Sequence, residues 1–139
     1  MYIQKEVINM QGRVFLKVFG ILMIIAGAIS AILYIVVIAG AAQLGLGLLT
    51  AAGVIGVIAA VVELITGIIG VKNSAKPENA GKCLVWGIIT LVLSVVSNVM
   101  VWIAGQTEAG SIIGTILTGF AVPVLFIIGA VLNKKSAAN

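Results

Sequence analysis

Apolar positions along this chain do not alternate with polar ones; they run. Four runs cover residues 14–39, 44–71, 83–104 and 110–132. Each reaches the length of about twenty residues that a helix needs to cross the hydrocarbon of a bilayer. Between them lie "GAAQ", then "KNSAKPENAGK" over 72–82, then "GQTEA". Connections this short make consecutive helices antiparallel neighbours. The pattern predicts an all-α, four-helix transmembrane bundle of up-down-up-down topology, with residues 1–139 as one domain. Residues 1–11 are more polar, and "VINMQGRVFLKVF" sets basic against apolar side chains. That segment reads as a short interfacial lead-in or as the start of the first helix.

Charge orients the bundle. Lys5, Arg13 and Lys17 precede or open the first run, Lys72, Lys76 and Lys82 sit in the middle connection, and Lys134 and Lys135 follow the fourth run. With four crossings, all eight basic residues fall on one side, and Glu108 lies on the other. Basic loops stay in the cytoplasm, so both termini and the 72–82 loop are expected there. Lys72, Lys76 and Lys82 would then meet anionic headgroups. The first run exceeds the roughly 7–15 apolar residues of a signal-peptide core, so it is expected to remain as a span. Trp86 and Trp102 stand sixteen residues apart in the third run. That is about 24 Å of helix, which fits one indole near each interface, or simple packing of both.

Small residues recur at helical spacing. Ala52, Gly56, Ala60, Glu63, Gly67 and Gly70 form one stripe in the second run. In the third, Gly87, Thr90, Ser94, Ser97 and Asn98 follow steps of three and four, except for the adjacent last pair, and in the fourth Gly110, Gly114 and Thr118 do so. A weaker series, Gly20, Gly27, Ser30 and Tyr34, marks the first. In lipid, helices associate through close backbone approach at small residues and through hydrogen bonds. Ala52, Gly56, Ala60, Gly67, Gly70 and Gly114 are therefore packing positions, while Thr90, Ser94, Ser97, Asn98 and Thr118 form a polar stripe that either packs or lines a path. Pro123 cannot donate to the Gly119 carbonyl, so a kink with a free acceptor is expected there. Ser74 or Lys76 is expected to cap a third helix beginning near Pro77, with Glu78 in its first turn. Cys83, at that boundary, is either a plain thiol or an acylation site.

Glu63 is the one acid inside a run. It lies nine residues before Lys72, about 13 Å along a helix and inside the hydrocarbon. A charge deep in a span costs about 2.5–3.5 kcal/mol, and desolvation favours the neutral carboxyl. A neutral carboxyl must donate its hydrogen. Thr90, Thr118 and the Gly119 carbonyl are the candidate acceptors, with a snorkelling Lys17 as the alternative partner of a charged form. Glu63 is either polar glue between helices or a proton or ion site.

The chemistry otherwise open to the chain is narrow. Hydrophobic residues make up 62% and charged residues 9%, with no histidine, one cysteine and four acids. These numbers leave no ligand set for zinc, no serine–histidine–aspartate triad and no internal disulfide. Neither a cofactor nor an enzymatic activity is expected. The basic residues are too scattered for a nucleic-acid face.

"GIIGVKNSAKPENAGKCLVWGIITLVLS", residues 67–94, resembles the junction between the second and third spans of small uncharacterised four-span membrane proteins of Gram-positive bacteria. The resemblance implies a bacterial plasma-membrane protein. "KNSAKPENAGKCLV" is also similar to the cytoplasmic loop of the eukaryotic membrane-spanning four-domain family, whose large cysteine-bearing outer loop this chain lacks. The general plan is similar to that of small four-span multidrug transporters, which use a membrane-embedded glutamate for proton coupling. Their acid lies in the first span among aromatic residues, whereas Glu63 lies in the second among glycine and valine. Two functions follow as expectations. The first is a non-enzymatic membrane protein acting through self-association as a homo-oligomer, or through a membrane partner, of the accessory or immunity type. The alternative is a small oligomeric transporter or channel that uses Glu63.

Overall fold

The computed structural model describes residues 2–105, 113 and 116–138, with side chains described for 11–105, 113 and 119–135. Among the described residues the chain is helical. Helix α1 spans Tyr2–Gln43, α2 Gly47–Asn73, α3 Ala80–Ile103 and α4 Val122–Ala138. A 3-10 turn, Pro77–Asn79, leads into α3, and a π-helical segment, Ile116–Ala121, leads into α4. Residues 11–43, 47–73 and 77–103 form three stretches long and apolar enough to cross a membrane. The expected fourth run, with Gly110 and Gly114, falls partly outside the described residues.

The helix ends show where sequence reading slipped. α1 does not stop at Gly40 but continues through "GAAQ" to Gln43. The reversal comes at Gly45, whose φ of +70° suits a residue without a Cβ. Its N–H bonds Ala42 O and the Leu46 N–H bonds Ala41 O, the Schellman closure of a helix C-terminus. Gly105, at φ +88°, closes α3 with a bond to Trp102 O. Ser74 does not cap α3. Its hydroxyl turns back to donate to Val71 O and so closes α2. Lys76 stands ahead of the 3-10 turn without a side-chain capping bond. The residues before Pro123 are π-helical. Local π-helical adjustment is one way a helix accommodates a proline.

Each helix packs beside the next, and α4 returns to α1. Glycine decides how closely. A Cβ on Gly67 would lie 2.5 Å from Gly20 O, and one on Gly27 would lie 2.8 Å from Ala60 O. Gly20, Gly27 and Tyr34 on α1 and Gly53, Ala60 and Gly67 on α2 are each spaced by seven, the repeat of left-handed helix packing. The same closeness joins α1 to α4, where a Cβ on Gly12 would meet Asn133 N at 2.7 Å and one on Gly129 would meet Leu16 N at 2.9 Å. At the centre of this half, the Phe126 ring is fully buried against Gly70 of α2 and Gly87 of α3. Leu16, Met23, Cys83 and Ala130 complete the core. Cys83 is thus a buried thiol.

Polarity is inverted relative to a water-soluble fold. Thr66, Thr90, Ser94, Ser97 and Asn98 are buried, while Ile32 and Val36 are each 64% exposed and Ile25, Ile29, Ile58 and Val92 are also exposed. In water such an apolar exterior would drive association. In lipid it is the ordinary outer surface, and buried polar groups bond one another inside.

Candidate functional site: a cleft at Glu63

The stripes predicted for the second and third runs turn inward. Ala52, Gly56, Ala60, Glu63, Gly67 and Gly70 are buried on α2, and Thr90, Ser94, Ser97 and Asn98 are buried on α3. Gly114 and the side chain of Thr118 lie outside the described residues. The stripes do two different jobs, split along the length of the bundle.

Toward the basic end most polar groups are satisfied, Asn133 Oδ1 being the one buried side-chain atom there without a partner among the described residues. Thr66 Oγ1 and Thr90 Oγ1 are 2.7 Å apart. Thr66 also reaches Val62 O at 2.8 Å, and Thr90 reaches Trp86 O at 2.9 Å. Each hydroxyl has one hydrogen, so one bonds the other hydroxyl and the second bonds a carbonyl. The Thr90 hydroxyl is therefore engaged with Thr66 and not with Glu63, contrary to expectation. Three asparagines missing from the sequence reading tie off the bundle end. Asn79 Nδ2 donates to Asn73 Oδ1 at 3.0 Å, Asn73 Nδ2 to Ile69 O at 2.8 Å, and Asn133 Nδ2 to Ser74 O at 3.1 Å. Their signal was available: asparagine beside an apolar run often closes a helix end.

One turn further in, the polar groups are left open. Glu63 lies between the two glycine crossings, Gly20–Gly67 and Gly27–Ala60, and one turn beyond the Thr66–Thr90 pair, at the level of Ser94. It is only 7% exposed, and its Oε1 has no hydrogen-bond partner among the described residues. Ser97 Oγ is likewise buried without one. Lys17 does not fold inward to meet Glu63; it is exposed on α1. Unpaired buried polar atoms cost about 1–3 kcal/mol each, so two in one place call for a physical reason.

The reason is a cavity. A cleft of about 510 Å³ opens beside these atoms. Glu63, Ser94, Ser97 and Asn98 furnish its polar wall. Leu22, Ile25, Ile29 and Leu33 of α1 furnish the apolar wall, and all four are exposed. Tyr34 completes the lining, its ring seated over Gly56 where any Cβ would collide. An aromatic side chain therefore does reach the acid's cleft. The sequence reading, confined to neighbours of Glu63 within the second run, had not placed one there. An apolar pocket of several hundred Å³ with a few convergent polar groups has the form of a small-molecule site.

Comparison with protein-family models, curated proteins and solved structures finds no match for this chain. Function has to be argued from the cleft itself.

Proposed function

We propose that this is a non-enzymatic, multi-pass protein of a bacterial plasma membrane, with both termini cytoplasmic, and that its cleft binds a small amphipathic cation for transport. The observation that carries the reading is Glu63, nine-tenths buried, its Oε1 without a partner among the described residues, on a cleft of about 510 Å³ with apolar walls. An intramembrane acid is retained against its insertion cost where it serves a path or a ligand. A cationic head would neutralise the carboxylate, Ser97 and Asn98 would turn their oxygens' dipoles toward the charge, and the Tyr34 face adds cation–π attraction. The apolar walls suit the remainder of such a molecule.

Self-association through the small-residue stripes is the other function raised by the sequence. The α2 stripe is occupied within the chain: Gly67 by Gly20, Ala60 by Gly27, Gly56 by Tyr34 and Gly70 by Phe126. A partner would have to use another surface. Orientation is supported by the packing of α1 against α4 and of α4 against the Pro77–Asn79 turn. That packing brings Arg13, Lys72, Lys76, Lys82, Lys134 and Lys135 to one end.

In proteoliposomes the protein is expected to bind tetraphenylphosphonium saturably and carry it across. Glu63→Gln should abolish both while eluting unchanged from a sizing column. Absence of saturable binding by the unmodified protein would end this reading. A tag after Asn139 should react with an impermeant reagent only once cells are opened; labelling of intact cells would reverse the orientation.

A further inference from the structure

A second recess lies at the basic end, away from the Glu63 cleft. It has a volume of about 320 Å³ and is lined by Arg13, Val14 and Lys17 of α1 and by Ser74 and Ala75 after α2. Arg13 and Lys17 are one turn apart on one helix, so both side chains converge on the same recess. The opposite wall is neutral, because the Ser74 hydroxyl is turned back to Val71 O and its carbonyl accepts from Asn133. No carboxylate lines the recess among the described residues. A guanidinium fork beside an ammonium, facing a neutral wall, suits a phosphate group.

The surface next to it narrows the class of ligand. Val14, Val18 and Ile21 are exposed and follow one another along α1 at steps of four and three. They form an apolar track leading from the recess toward Ile25 and mid-span. The level also fits. A Cβ on Gly20 would meet Val71, so Arg13 and Lys17, seven and three residues earlier, lie beside the end of α2, where Lys72 marks the boundary of the apolar run. A charged recess at the boundary with an apolar track descending from it matches a lipid: an anionic head above, an acyl chain below.

The geometry points to a specific site for an anionic phospholipid, its phosphate held by Arg13 and Lys17 and one acyl chain along Val14, Val18 and Ile21. The site rests on the membrane reading alone and is independent of the cation cleft. Protein that stays soluble and monodisperse without detergent would refute the membrane reading itself.

The test is thermal unfolding of the full chain in a non-ionic detergent, followed by tryptophan fluorescence. Phosphatidylglycerol should raise Tm by on the order of 5 °C at saturation, while phosphatidylcholine of the same chain length and free glycerol phosphate should leave it unmoved. Arg13→Gln with Lys17→Gln should weaken the apparent phosphatidylglycerol affinity about tenfold or more. Lys76→Gln with Lys82→Gln, which removes equal charge from the same end but only from the general attraction to headgroups outside the recess, should weaken it several-fold less. An equal response to phosphatidylcholine would overturn the site, as would equal weakening by both double variants. A full response to glycerol phosphate would assign the recess to a soluble anion instead.

Discussion

Gly67→Val is expected to abolish the folded protein, because the atom it would strike is backbone. A Cβ at Gly67 falls 2.5 Å from Gly20 O and 2.9 Å from Ile24 N. A side-chain neighbour could rotate away, but a helix backbone moves only as a unit. Separating α1 from α2 enough to admit valine would also open the Gly27–Ala60 crossing seven residues along. Overpacking a core costs about 1–3 kcal/mol where side chains yield, and the upper end or beyond is expected here. Unfolding in mixed micelles, read from Trp86 and Trp102 fluorescence, should show no cooperative transition. The contrast is Gly40→Ala. Nothing lies within 4 Å of a Cβ at Gly40, and alanine favours a helix interior by about 1 kcal/mol over glycine, so this variant should unfold no earlier than the parent. If Gly67→Val unfolds like the parent, the close crossing of α1 and α2 is wrong.

Glu63→Leu should stabilise the protein while removing cation binding. Glu63 Oε1 is buried without a partner among the described residues, and an unsatisfied polar group of this kind costs about 1–3 kcal/mol. Leucine fills similar space, adds apolar contact with the α1 wall and leaves no polar atom behind. Gain of stability with loss of function is the mark of a residue kept for its chemistry rather than its packing. The midpoint of unfolding should rise by an amount corresponding to about 1–3 kcal/mol, with no saturable uptake of tetraphenylphosphonium. A lower midpoint would mean that the carboxyl is tied into a structural bond, and Glu63 would then be glue between helices.

The two stripes illustrate how far local pattern reaches. Ala52, Gly56, Ala60, Glu63, Gly67 and Gly70 could be assigned to one buried face because helical period is a property of the chain alone. The same period grouped Thr90 with Ser94, Ser97 and Asn98. It could not divide them. Thr90 is satisfied because Thr66, twenty-four residues earlier, stands 2.7 Å away, whereas Ser97 faces open space. Tyr34 shows the same limit: its ring reaches the cleft only because Gly56 on another helix leaves room for it. The end of α1 was misjudged for a local reason. "GAAQ" looks like a break by composition, but small residues continue a helix readily, and the chain reverses only where Gly45 adopts positive φ.

The sequence by itself determined the helical class, three of its four expected apolar spans, the inward faces of the second and third, and the isolation of one acid among apolar neighbours. Those properties depend on composition and on a period of 3.6 residues, and both are written along a single strand of chain. The tertiary structure alone decided which small residues meet which backbone, that Phe126 occupies the centre, and that Glu63 borders a cleft instead of bonding Thr90. Such outcomes depend on register between helices, and register is set by many close contacts acting together. No single stretch of sequence contains them.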